Sequence, residues 1–295
     1  MKHLVSVLGT GAALLLAAPA AFAAEPSSSE EFTPAFAASR AGGFVDLWPT
    51  RNNFSMIFGG ELQIGLSKRV FVDLSYASAF AHIGDAIDAG DNLGFGNPTV
   101  GMHVVGAPSD RFHFFVGASV TAPLLQDPST EVSNAAFYGQ RIRGFYEADR
   151  FARGHMAARA AIGMEWRVAD PLFIRGEVRP VVLIPTSDKF PGITDDRINL
   201  PAEGRGEVEV NIEHALEIEG RTDMGLGFGA RLQGVATMMR DDMLQLTAEP
   251  FINLTPRRQG LYARVGFPIA IDEDLGPGFD EDKLVGARLQ IGGQW

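Results

Sequence analysis

From Val285 to the end of the chain, every second residue is apolar or small: Val285, Ala287, Leu289, Ile291, Gly293 and Trp295. Between them stand Gly286, Arg288, Gln290, Gly292 and Gln294. A strict period of two belongs to a strand with one apolar and one polar face, because a helix would scatter both sets around its axis. The aromatic last residue suits a membrane interface, where an indole has one apolar side and one wet one.

The same alternation recurs through the chain. It is clear over Met56–Leu66, Val70–Tyr76, Phe112–Thr121, Met156–Arg167 and Leu172–Val182, then over Met224–Ala236, Met243–Leu254 and Leu261–Ile271. It is weaker over Ala41–Trp48 and Gly96–Gly106. Between Glu207 and Glu219, Val208, Val210, Ile212, Leu216 and Ile218 alternate with Glu207, Glu209, Glu213, Glu217 and Glu219, so a strand puts the carboxylates on one face. With Leu284–Trp295 these segments predict an all-β fold: a transmembrane antiparallel up-and-down barrel of twelve strands, within a range of ten to fourteen. Short turns at 67–68, 107–110, 169–170, 220–223 and 256–259 are set against long connections at 80–94, 123–153, 185–205 and 271–282. That is the asymmetry of short periplasmic turns and longer external loops. A soluble β-sandwich is the competing architecture, but it points its apolar face inward and has no use for an aromatic terminus.

The amino end reads as an export signal. Met1-Lys2-His3 is basic, Leu4–Ala18 is apolar but short, and Ala21-Phe22-Ala23 offers a cleavage site. The expected organisation is a cleavable signal peptide at 1–23, a flexible periplasmic leader at 24–40 rich in Ser, Pro and Glu, and the barrel at 41–295. Mean hydropathy of +0.05 is near neutral, and no apolar run after Ala24 approaches the roughly 18 residues of a membrane helix. Alternating strands produce that neutrality. There is no cysteine, hence neither a lipid attachment site nor a disulfide. A net charge of −11 argues against nucleic acid as a partner.

The terminal strand, with Ile291 and Trp295, resembles the C-terminal assembly signal of Gram-negative outer-membrane barrels. The stretch Gly94-Phe95-Gly96-Asn97-Pro98-Thr99-Val100-Gly101 resembles a strand opening in outer-membrane transporter barrels, among them the meta-pathway phenol-degradation family. The resemblance implies a porin-like protein of the outer membrane with both termini periplasmic. Its implied partners are membrane lipid, lipopolysaccharide and the barrel-assembly machinery. The implied function is passive passage of small polar solutes without a cofactor. The alternatives are a closed structural or adhesive barrel and, less favoured, a lipid-modifying enzyme. The sequence has no G-x-S-x-G and no H-E-x-x-H, and nothing marks a nucleophile beside His214.

With apolar faces toward lipid, the pore-lining residues follow from parity. The acids are Glu61, Asp73, Glu165, Glu177, Glu207, Glu209, Glu213, Glu217, Glu219 and Glu249; the bases are Arg159, Arg167, Arg175, Arg179, Arg231, Arg264 and Arg288. Arg175, Arg179 and Arg231 flank the glutamate strand and would neutralise part of it, leaving an acidic surplus that favours cations. The loop 123–153, with Arg141, Arg143, Tyr146 and Arg150, is a candidate constriction if it folds inward, or a surface loop if it does not. His103 and His113 share the polar parity beside a short turn, where they are expected to face each other near Asp73. That group makes a weak divalent-metal candidate. A solvated acidic loop is the expectation for 272–282.

Overall fold

The computed structural model describes residues 33–49, 53–83, 90–125, 130–141, 146–186, 208–238, 244–256, 259–271 and 286–295. Its strands are β1 (Arg40–Pro49), β2 (Asn53–Gly65), β3 (Val70–Ile83), β4 (Gly90–Phe95 and Thr99–Ser109) and β5 (Phe112–Thr121). Helix α1 (Thr130–Arg141) follows, then β6 (His155–Ala169), β7 (Leu172–Pro185) and β8 (Glu209–Arg221). The last four are β9 (Leu226–Thr237), β10 (Leu244–Leu254), β11 (Gly260–Gly266 and Ile269–Ala270) and β12 (Ala287–Gln294). Each pairs antiparallel with its neighbours in chain order, and β12 pairs with β1, which closes a twelve-stranded barrel.

Two strands are interrupted, each for a local reason. On β4, Ser78↔Phe95 and Ser75↔Thr99 leave three residues, 96–98, opposite two on β3, which is a bulge. Pro98 has no amide to give the ladder there, and the bulge inverts parity, so Asn92 and His103 both point inward. On β11 the ladder lapses where Pro268 and Pro250 both lack donors, while the Phe267 amide still reaches the Pro250 carbonyl at 3.0 Å.

The distribution of side chains is inside-out for a soluble protein. Asp46, Glu219 and Glu249 are completely buried, whereas the outward Val116 and Ile162 are 50% and 62% exposed. Leaving a belt of valine, isoleucine and leucine in water would forfeit roughly 25 cal/mol for each Å² of apolar surface. Against lipid the belt costs nothing, and the carboxylates are the groups that need shelter. No described helix is long and apolar enough to cross a membrane.

The strand assignments shift in one region. β3 runs to Ile83 rather than ending at Tyr76, and Gly90–Phe95, expected within the long connection 80–94, pairs with it. Alternation is lost there because the inward side chains of β3 meet protein and not water. Ala77 and Ala79 pack against Ala136 of α1 and Phe151.

Candidate functional site

The barrel interior is built from three sets of side chains, and the first belongs to the connection between β5 and β6. This segment folds into the barrel. Asn97, in the β4 bulge, donates from Nδ2 to the carbonyls of Asp149 at 3.1 Å and Ala152 at 2.7 Å. Its Oδ1 accepts from the Leu125 amide at 2.8 Å. A Cβ at Gly96 would lie 2.6 Å from the Arg150 carbonyl, so only glycine permits this approach. Asp149 then pairs with Arg159 of β6 and accepts from Thr121 Oγ1 at 2.5 Å. Glu147 takes a left-handed backbone (φ 60°), and its amide donates to Glu213 of β8 at 2.6 Å.

Arg150 and Tyr146 hang from this anchor. Arg150 contacts Glu147 at 3.1 Å and Glu61 at 3.7 Å. Tyr146 lies between two guanidiniums, with Arg179 4.5 Å and Arg231 5.3 Å from its ring centre. Burial pushes the Tyr146 phenol above its ordinary pKa, opposed by the neighbouring cations, so it stays neutral. Arg141 ends α1, and the Arg143 position lies outside the described residues.

The second set is an ion-pair network along the inner wall. Arg175 of β7 binds Glu165 of β6 and both Glu217 and Glu219 of β8, and Arg221 binds Glu219 at 2.6 Å. Arg264 reaches from β11 to Glu217 at 2.7 Å and to Glu249 of β10 at 3.1 Å. Arg288 of β12 joins Glu249 at 2.5 Å to Asp46 of β1 at 2.9 Å, across the closing seam. Antiparallel register sets these pairs up, since Glu165↔Arg175↔Glu217 are direct cross-strand neighbours. Nearby, Arg179 meets Glu177 at 3.3 Å and Glu213 at 3.4 Å.

The third set is the segment before β1. Residues 33–39 were expected to belong to a free leader, but they are held inside the barrel wall. Gln63 donates to the carbonyls of Ala35 at 3.0 Å and Ala38 at 2.6 Å, and His103 contacts the Phe36 carbonyl at 2.7 Å. The Phe36 ring packs on Phe115 at 5.0 Å. The remaining leader and signal positions, 1–32, lie outside the described residues.

Between these sets lies a cavity of about 400 Å³, lined among others by Arg40, Glu61, Asp73, Glu177, Arg179, Arg231, Tyr146 and Phe36. Register puts the described acids and bases expected in the lumen on the inward parity of their strands. Glu209 is buried on β8, Arg167 pairs with Asp170 near a turn at 3.2 Å, and Glu207 lies outside the described residues.

Two expectations need correction. His103 and His113 do not face each other: His103 is opposite Gly117, and His113 is opposite Glu165. The turn extends β4 to Ser109, and a register shift follows, so equal distance from Pro108 did not mean equal depth. His103 instead bonds Asp73 at 2.6 Å, and no cluster suited to a metal occurs among the described residues. The acidic surplus on β8 also fails. Arg264 and Arg221, not counted as partners, bind Glu217 and Glu219, while Arg231 binds neither.

Asp46, Asn97, Glu147, Asp149 and Arg221 escaped the sequence reading. Arg221 was visible in principle, as the next inward position after Glu217 and Glu219. Asn97 was signalled only by its Gly-Asn-Pro setting.

No family model matches this sequence, and no curated protein is detectably similar to it. Among solved structures, the COG4313 outer membrane channel from Pseudomonas putida F1 superposes with a TM-score of 0.55 at 12% identity. That match covers 92% of this chain and 100% of that one. The NanC porin gives 0.47 at 9% identity over 88% and 99%, and the Pseudomonas putida toluene transporter TodX 0.37 at 10% over 96% and 92%. At such identities the likeness is one of fold. This chain shares with the COG4313 channel the fold of a closed antiparallel barrel.

Proposed function

We propose that the protein is a passive outer-membrane channel for small polar solutes in a Gram-negative bacterium. The observation that carries this is a charged cavity of about 400 Å³ inside a closed barrel whose outer face is apolar. Acids and arginines facing each other across a wet lumen set up a transverse field that orients dipolar solutes. The inward charged residues line the path, with Tyr146 and Arg150 narrowing it as the constriction. In this reading the interior groups bind and orient solute without catalysing a reaction. Both termini are periplasmic, the signal at 1–23 is removed on export, and the belt contacts lipid and lipopolysaccharide. The barrel-assembly machinery takes the strand ending in Trp295 as its recognition element.

A second reading, a closed structural barrel, draws on Phe36 and the Tyr146–Arg150 segment, which bound the cavity. Single-channel recording in planar bilayers separates the two. Discrete, reproducible conductance steps from folded protein are expected of the channel; a silent, folded barrel would leave the structural reading.

A further inference from the structure

Arg231 stands on β9 between two glutamates and pairs with neither. Its cross-strand neighbours are Glu217 on β8 and Glu249 on β10. Each of those carboxylates is taken by two other arginines: Glu217 by Arg175 and Arg264, Glu249 by Arg264 and Arg288. Among the described residues, no carboxylate lies within ion-pair distance of the Arg231 guanidinium. Its polar contact is the Tyr146 hydroxyl, to which Nη2 donates at 3.2 Å. A phenol accepts a hydrogen bond but cannot offset a formal charge.

The surroundings sharpen the imbalance. Arg231 lines the cavity beside Gln233, Gln290 and Arg288. Buried carboxylates back three of the other lining arginines: Asp46 behind Arg288, Asp149 behind Arg159 and Glu213 behind Arg179 are at most 3% exposed. The lining acids Glu61, Asp73, Glu147 and Glu177 are matched by Arg40, His103, Arg150 and Arg179. Among the described residues, the lining therefore holds six arginines, Arg40, Arg150, Arg159, Arg179, Arg231 and Arg288, against four carboxylates. Glu217 and Glu249 act on Arg231 only through space, and a sheltered guanidinium without a contact ion pair attracts an anion.

We propose that Arg231 anchors a binding site for a small monoanionic solute bearing a carboxylate. A carboxylate fits a guanidinium fork with two parallel hydrogen bonds. One unmatched cation suits one negative charge, where a phosphate dianion would require two. The amide of Gln290 on the same lining, which also reaches Glu61 at 3.4 Å, suits a hydroxyl group on the rest of the molecule. The site rests on the channel reading, since it lies on the path that reading assigns.

Under a KCl gradient, wild-type channels should prefer chloride. Arg231→Gln should lower the anion-to-cation permeability ratio about threefold or more, and Arg231→Lys should largely keep it. Cation preference in the wild type, or an unchanged reversal potential in a folded, conducting Arg231→Gln variant, would overturn the proposal. A calorimetric titration of the detergent-folded protein tests the site without conduction. Gluconate should bind the wild type, bind Arg231→Gln about tenfold more weakly, and compete with chloride, while neutral sorbitol does not bind. Absence of gluconate binding, or binding indifferent to chloride, overturns the site even if Arg231→Gln does not fold. Inorganic phosphate binding more tightly than gluconate overturns the carboxylate class. A silent barrel that still binds gluconate through Arg231 removes the channel reading and keeps the site.

Discussion

Asn97 is completely buried, and its side chain makes three of the hydrogen bonds that hold the inward segment against β4, beside the one from its own amide to the Arg150 carbonyl at 2.6 Å. At about 1 kcal/mol each, Asn97→Ala should weaken that docking by roughly 3 kcal/mol. We expect the segment to leave the lumen, so that single-channel conductance rises and trypsin gains access near Arg150 and Arg153. Unchanged conductance and unchanged cleavage would show that other contacts hold the segment. Gly266 offers a second residue-scale prediction. A Cβ there would meet Glu249 Oε1 at 2.2 Å and push the carboxylate off Arg264 and Arg288. Gly266→Ala should cost about 2 kcal/mol, while Gly293→Ala, with no atom within 4 Å of its Cβ, should be silent. The temperature at which the folded gel band is lost reads both.

At the scale of elements, parity was legible wherever a strand faced lipid on one side and charge on the other. β8 is the clearest case, with Val210, Ile212 and Ile218 outward and Glu213, Glu217 and Glu219 inward. It was illegible along Ala77–Ala81 of β3, because α1 and Phe151 cover the inner face there and no polar residue marks it. The pairing of the charges was not legible either. Period two says which side chains share a face, but a guanidinium long enough to pass two strands, as Arg264 does in reaching from β11 to β8, chooses among several carboxylates in three dimensions. Adjacent positions on β6 test the parity. Ile162→Arg places a charge in the apolar belt and should destabilise insertion by about 2–4 kcal/mol. Ala161→Arg, on the cavity side, should insert normally and alter conductance. Equal defects in membrane insertion from the two variants would contradict the assigned faces.

For the whole molecule, the seam between β1 and β12 decides whether a barrel exists. The Trp295 amide donates to the Ser39 carbonyl at 2.9 Å, so the last residue is bonded to the segment that leads into the first strand. Removing Trp295 should impair assembly, seen as loss of heat-modifiable migration and of membrane-embedded protein; full insertion without it would refute the recognition role. The same seam has a consequence in time. Asp46 and Arg288, which bridge it, are 242 residues apart in sequence. Loop-closure entropy for that contact is met only after the intervening strands have formed, so it belongs to the slow end of folding. Until β12 docks, the open sheet has two unpaired edges, each a template for pairing with another copy. A chain cut short of β12 therefore yields an adhesive sheet, not a slightly narrower barrel.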